Sequence, residues 1–206
     1  MPMKAEREYR SLLTPLLANQ QTTSKRFDSE YYVEGYATGF EPYPLYECDG
    51  ATIYERFERG CFDGCDMSDI IMQYDHEGRV FARNSNNTLI VDVDDNGLFI
   101  AADLSKTSSA RSMYEDIDAG MITKMSWCFV PDDMDFDGST NTIIHRHIKK
   151  IYDVSAVSIP ANQNTAINAR NADMAMRLGG ATEAALKEFE RLKNQRRRIL
   201  IKTLTL

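Results

Sequence analysis

The chain has 206 residues, 43% of them hydrophobic and 27% charged, a balance typical of a globular protein with a core of its own. Its formal net charge of −7 at pH 7 argues against nucleic-acid binding, because neutralising phosphates requires a basic surface. The sequence contains no run of roughly 18 apolar residues, so no membrane span is predicted. A secretory signal is also missing at the N-terminus, and the four cysteines are too few to predict a disulfide framework, so we expect a cytosolic protein.

Residues 1–24 are predicted to form a peripheral arm. Its leucines have helical spacing, although Pro15 interrupts the pattern, and the polar stretch from Asn19 to Ser24 is typical of a linker. This arm could be a propeptide.

From Phe27 the sequence changes to short segments typical of strands, at 31–38, 51–57, 69–74, 88–94 and 98–104. The step Asn96-Gly97 separates the last two, and it predicts a hairpin because both residues tolerate positive φ.

A helix is predicted from Ala110 to Ala119, with an N-cap supplied by residues 107–109 and a stop at Gly120. The strand that follows, Met121 to Val130, carries Ser126. A polar, acidic turn is expected over 132–141, and a long or bent strand over 142–158.

The last part of the chain, residues 171–206, is predicted to be a helical, basic tail. Between Lys187 and Arg198 there are six basic and two acidic residues. The predicted organisation is therefore an arm over 1–24, a domain over 25–170 and this tail.

Nucleophilic catalysis needs a hydroxyl or thiol, a base within hydrogen-bond reach and a group that orients the base. His76 lies where an apolar run enters a loop, a common place for a functional histidine. Ser126 lies inside an apolar strand, and Cys128 shares its face as a rival nucleophile. Asp153 also lies inside a strand, where a buried carboxylate needs a partner.

Metal binding is the alternative chemistry that the residues leave open. His145 and His147 share one face of a strand and could form half of a site, and Cys61 and Cys65 have C-x3-C spacing without a second pair. Two aspartate-rich segments, 92–97 and 133–138, resemble the start of calcium loops, but they are better interpreted as hairpin turns. We expect no metal and no cofactor.

Three segments, taken in order, resemble the prohead (capsid maturation) serine protease family of tailed bacteriophages. The first is the apolar run from Ile70 that ends at His76. The second is the helix from Tyr114 to Gly120 with the serine strand Met125–Phe129. The third and most specific is the stretch from Tyr152 to Asn162, with its acidic residue, Val-Ser and Pro-Ala-Asn, followed by Ala166. The resemblance covers about residues 27–168.

The family is similar to the herpesvirus assembly proteases, which implies a mainly β (α+β) fold. The expected architecture is an antiparallel β-barrel of the herpesvirus-protease type with surrounding helices, plus helical N- and C-terminal arms. The resemblance implies Ser126 as nucleophile, His76 as base and Asp153 as the third member. His147 or His145 could instead fill that third role, as a second histidine does in the herpesvirus relatives. Cys128 stands where the family usually has glycine.

The implied function is a phage prohead maturation serine endopeptidase that cleaves scaffold and capsid precursor segments, and itself. Its expected partners are the major capsid protein precursor and the scaffolding protein, with self-association possible and neither nucleic acid nor membrane involved. Its expected place is the host cytoplasm, inside the immature prohead. Two alternatives stay open: a non-catalytic capsid assembly or scaffolding protein with the protease fold, and a metal-dependent hydrolase built on His145 and His147.

Overall fold

A computed structural model of the chain describes residues 7–15, 17–18, 25–48 and 50–158. These residues form a mainly β structure with one α-helix, which confirms the predicted class at that level. The strands are β1 (Glu8–Pro15), β2 (Leu17–Ala18), β3 (Tyr32–Gly39), β4 (Tyr43–Cys48), β5 (Ala51–Phe57), β6 (Ile71–Tyr74), β7 (Glu77–Arg83), β8 (Leu89–Val93), β9 (Gly97–Asp103), β10 (Lys124–Asp137) and β11 (Thr142–Val157); the helices are α1 (Ser108–Asp118) and a short 3-10 turn at Asn84–Asn86.

The described strands form two sheets. The larger has seven strands in the order β1-β10-β11-β5-β4, with β6 also paired to β11 and β7 paired to β6. The smaller has the order β2-β3-β9-β8. Strand β11 is the centre of the larger sheet, because one end of it pairs in parallel with β5 and the other end with β6.

No closed barrel is found among the described strands. Closure requires the first and last strands of a sheet to pair, and no ladder joins the two sheets here. The expected barrel of the herpesvirus-protease type is therefore replaced, in this part of the chain, by two separate sheets.

The prediction of a helical N-terminal arm is wrong for the residues that the structure describes. Residues 8–15 and 17–18 are strands, and β1 pairs antiparallel with β10 from Glu8 to Leu12. Pairing with a neighbouring strand outweighs the helical spacing of the leucines, and Pro15 does not fit a helix interior. The predicted helical tail at 171–206 lies outside the described residues.

Helix α1 forms where its sequence predicts, with Thr107 as its N-cap, although it begins at Ser108 rather than at Ala110. The Thr107 hydroxyl accepts a hydrogen bond from the Ala110 N–H at 3.1 Å, and Gly120 follows the C-terminus with φ +72°. Within the described part of the chain, no helix has the length and apolar character needed to cross a bilayer.

The hairpin between β8 and β9 also forms as predicted. A side chain at Gly97 would place its Cβ 2.0 Å from the Thr38 carbonyl oxygen, so glycine is required there by close backbone approach as well as by its φ of +151°. Asp94 accepts hydrogen bonds from the backbone N–H groups of Asn96 and Gly97 at 2.7 and 3.2 Å. The aspartate-rich segment 92–97 therefore forms a hairpin turn.

Strand β10 is longer than predicted and runs through most of the expected acidic turn. Its ladder with β11 extends from Lys124 opposite Val157 to Asp137 opposite Thr142. Only residues 138–141 lie between the two strands. Asp132 and Asp133 are exposed on the surface of β10. From the sequence alone, a stretch with such acidic residues is easily interpreted as a turn.

Aromatic side chains from one face of β10 fill the core. Trp127 and Phe129 are fully buried and stack with their ring centroids 4.1 Å apart, and Phe57 packs against both. Because side chains alternate along a strand, Ser126 and Cys128 lie on the opposite face. The face that builds the core therefore also decides where the candidate nucleophiles lie.

A buried charge cluster ties four strands together. The Glu55 carboxylate on β5, which is 0% exposed, accepts hydrogen bonds from Arg10 Nε on β1 at 2.7 and 2.8 Å and from His145 Nε2 on β11 at 2.7 Å. The Tyr43 hydroxyl on β4 also donates to it, and Arg10 pairs in addition with Glu8. Burial alone would raise the pKa of Glu55, but Arg10 and then His145 lower that pKa to about 2.

We predict that Arg10→Met lowers the free energy of unfolding by about 3–5 kcal/mol at pH 7, since it leaves the Glu55 charge buried without its cation. Because the folded-state pKa of Glu55 lies below its ordinary value of about 4.3, the contribution of the pair is full above that pH and falls as the pH drops toward 2. Urea unfolding at pH 7 and pH 3 measures this.

The matched control is Arg146→Met, which removes an exposed ion pair with Asp135 and should cost at most about 1 kcal/mol. An Arg10→Met variant as stable as this control, or a difference that does not shrink at pH 3, would contradict the predicted role of the pair.

Candidate active site

The two-residue turn between β6 and β7 presents His76. Asp75 and His76 have φ of +49° and +61°, a left-handed conformation in which residues other than glycine are strained. Two contacts hold the turn to the end of β11: the Asp75 N–H donates to the Ala156 carbonyl at 3.0 Å, and the Asp75 carboxylate accepts from the Ser158 N–H and hydroxyl at 3.0 and 2.9 Å. These hydrogen bonds offset the backbone strain of the turn and fix the backbone from which the His76 imidazole projects.

Ser126 and Asp153 come from the two neighbouring strands β10 and β11. In the ladder Ser126 lies opposite Ser155, and Cys128 lies opposite Asp153. Directly opposed residues share a face of the sheet, so all four side chains lie on the face that turns away from Trp127. Ser126 and Asp153 are thus diagonal neighbours, close enough for one imidazole to lie between them.

The His76 ring bridges these two side chains. Its Nδ1 lies 2.5 Å from Asp153 Oδ1, and its Nε2 lies 2.7 Å from Ser126 Oγ. A carboxylate can only accept, so Nδ1 carries the hydrogen, and Nε2 of the neutral ring then presents its lone pair to the serine hydroxyl. The structure therefore brings together the three residues that the sequence singled out, with spacing that suits a nucleophile, a base and an orienting group.

A second hydroxyl supports the carboxylate. Ser155 Oγ donates to Asp153 Oδ1 at 2.7 Å, and both residues are buried. Ser155 is not among the site residues that the sequence predicts. Its position two residues after Asp153, on the same strand face, was the available signal.

Cys128 does not have the properties of a nucleophile. It is 0% exposed, and burial, followed by the nearby Asp153 carboxylate, raises the pKa of its thiol to about 12. A thiolate is the reactive form, so burial and a raised pKa make this thiol a poor nucleophile at neutral pH. The Cys128 side chain lies beside Asp153, at a position where the family that the sequence resembles usually has glycine.

The other two histidines are engaged elsewhere. His145 is buried, binds Glu55 and stacks on Phe57 with ring centroids 4.5 Å apart. His147 pairs with Asp132 and donates from Nε2 to the Asp63 carbonyl at 3.0 Å. The contacts of Asp153, rather than those of either histidine, fit the third role beside His76.

A group that could hold a metal ion also lies apart from Ser126. Ligand atoms of Glu8, Glu55 and His145 lie within 4.8 Å of one another. The Arg10 guanidinium contacts both carboxylates and already supplies the positive charge that a metal would bring. His147 is not part of this group, so the predicted pairing of His145 with His147 at one metal is not what the geometry favours.

A hydroxyl that attacks a carbonyl also needs backbone N–H donors for the oxyanion, and the sequence offers residues 158–162, which follow β11 in the chain, as candidates. The Ser158 N–H is already donated to Asp75, so it is not available for that role in this structure. Residues 159–162 lie outside the described part of the chain.

Comparison with known families decides the relationship. The model of the family described as caudovirus prohead serine protease matches residues 19–178, most of the chain. The chain belongs to this family. Comparison with curated proteins and with solved structures gave no match. Family membership places the chain among the serine peptidases of phage capsid maturation, with the prohead inside the host cell as their setting.

We predict that native alkylation of this prohead protease family member with iodoacetamide at pH 7.5 leaves Cys128 unmodified long after a denatured control is fully labelled. The rate should be at least ~100-fold below that of an unhindered thiol, because Cys128 is buried and its pKa is raised. Peptide mapping by mass spectrometry measures the modification, and the half-buried Cys48 serves as the internal comparison. Labelling of Cys128 as fast as that of Cys48 would make the thiol a rival nucleophile again.

Proposed function

We propose that this chain is a prohead maturation serine endopeptidase in which Ser126 is the nucleophile, His76 the general base and Asp153 the orienting acid. The observation that carries the proposal is the continuous contact from Asp153 through His76 to Ser126 in a chain of a serine protease family.

The reaction is acyl transfer in two steps. His76 Nε2 takes the Ser126 proton as Oγ attacks the scissile carbonyl, and the tetrahedral intermediate collapses when His76 gives that proton to the leaving amine. Water, activated by the same imidazole, then hydrolyses the acyl-enzyme and regenerates Ser126. Asp153 keeps the hydrogen on Nδ1 and stabilises the imidazolium that forms in each step.

The proposed substrates are segments of the major capsid protein precursor and of the scaffolding protein inside the immature prohead. This assignment rests on family membership. We also propose self-cleavage within the tail, residues 171–206. Before it is cleaved, this basic tail binds acidic partners during assembly. Self-association is a further proposed property.

We predict that Ser126→Ala abolishes cleavage and keeps the fold, because the change removes one buried hydroxyl and leaves the backbone pairing of β10 intact. Intact-mass analysis of wild type and variant, each incubated alone and with the capsid precursor, detects the fragments. A matched control is Ser112→Ala on the exposed face of α1, which should cleave like wild type. Equal fragmentation by Ser126→Ala would exclude Ser126 as the nucleophile. A wild type that neither cleaves nor reacts with a fluorophosphonate probe, even in assembled shells, would favour the non-catalytic assembly protein.

We predict that Asp153→Asn lowers the cleavage rate by roughly 10⁴-fold, since an amide favours the wrong tautomer of the histidine it contacts. The variant should keep a wild-type melting temperature within a few degrees, and thermal unfolding checks this. Loss of activity without loss of the fold supports the orienting role. Activity within ten-fold of wild type would return the third role to another group.

A further inference from the structure

Strand β1 precedes the family-matched region, yet it lies along the strand that carries Ser126. The family model begins at residue 19, whereas β1 spans Glu8–Pro15. In the ladder with β10, Ser11 lies opposite Ser126, and Tyr9 lies opposite Cys128. A segment outside the matched core therefore covers the edge of the nucleophile strand.

One face of β1 contacts the triad. The Tyr9 ring meets the His76 ring edge to face, with centroids 4.8 Å apart and an interplanar angle of 74°. The Tyr9 hydroxyl also interacts with the Cys128 thiol, and burial raises the pKa of Tyr9, which keeps that hydroxyl protonated. Beside it, the Arg7 guanidinium lies 3.8 Å from the centroid of the Tyr152 ring, the residue before Asp153.

The opposite face of β1 anchors the strand. Arg10 is 3% exposed and supplies the cation of the buried cluster around Glu55. Loss of β1 would leave the Glu55 carboxylate buried with His145 and Tyr43 as its partners among the described residues, an unfavourable state for a desolvated charge. The strand is thus built in as a component of the larger sheet, not laid on its surface.

We propose that β1 is a permanent part of the catalytic centre and that Tyr9 is a positioning residue, which holds the His76 ring between Asp153 and Ser126. The inference rests on the proposed function. Two hydrogen bonds set the ring's position in its plane, and the Tyr9 ring limits its rotation out of that plane. Residues 1–24 are then not a propeptide that is shed as a whole, because cleavage after β1 would remove both Tyr9 and Arg10.

A consequence for substrate binding follows from the same pairing. Because β1 occupies the edge of β10 beside Ser126, a substrate segment does not add to that edge as an extra strand.

The test compares Tyr9→Leu and Tyr9→Phe with wild type in the full-length chain, with Tyr54→Leu on the exposed surface of β5 as the matched control. Saturation kinetics with a fluorophosphonate probe separate the rate of reaction at Ser126 from probe affinity. We expect Tyr9→Leu to lower the maximal labelling rate by about 10²-fold with unchanged affinity, as for a misplaced catalytic group. Tyr9→Phe, which keeps the ring, should recover most of that rate. The pH profile of labelling should shift in Tyr9→Leu alone.

A second measurement addresses the permanence of β1. Intact mass and N-terminal sequencing of the labelled, active protein after prolonged incubation should show a chain that retains residues 7–15. Labelling of Tyr9→Leu at the wild-type rate, or an active form that begins after Pro15, would overturn the inference. These outcomes are distinct from failure of the proposed function, in which wild type itself shows no labelling that depends on Ser126.

Discussion

The antiparallel ladder between β10 and β11 places Ser126, Asp153 and Ser155 of the candidate active site on one face of the larger sheet. Ser126 lies opposite Ser155 and Cys128 lies opposite Asp153, while the alternate residues of the same strands, such as Trp127 and Val154, face the core. A slip of one residue would exchange the two faces and bury the serine among aromatic rings. The large apolar side chains of β10 therefore fix the register, and through it the position of Ser126.

The histidine reaches this face from a strained turn that is tethered at one side. The Asp75 carboxylate accepts hydrogen bonds from the N–H and hydroxyl of Ser158, and the Asp75 N–H donates to the Ala156 carbonyl. These bonds connect the turn to the end of β11. Since Asp153 lies on the same strand, His76 and the carboxylate that contacts its Nδ1 share one support. Such shared support favours a preorganised hydrogen-bond chain over one assembled on substrate binding.

The charge cluster around Glu55 has a different role from the triad, although both contain a histidine and a carboxylate. Arg10, Glu55 and His145 of the cluster are buried, and the cluster joins β1, β4, β5 and β11. The triad keeps its histidine partly exposed, with 16% of the side chain accessible. Burial with a permanent cation suits a structural ion pair, whereas partial exposure leaves an imidazole able to exchange protons with a substrate. The same residue types thus form a buried ion pair in one place and the proposed catalytic group in the other.

The sequence by itself determined the mainly β class, the capped helix and the Asn-Gly hairpin, and it singled out His76, Ser126 and Asp153 as candidate site residues. These features are local: caps, turns and alternation depend on neighbours within a few positions, and a motif such as the stretch from Tyr152 to Asn162 is contiguous. Only the tertiary structure decided that the sheets do not close into a barrel, that residues 8–15 form a strand, and that Tyr9 and Arg10 reach His76 and Glu55. Each of these depends on pairing between segments far apart in the chain, such as Arg10 with Glu55 or Tyr9 with His76, and no local pattern encodes which distant partner a strand will find.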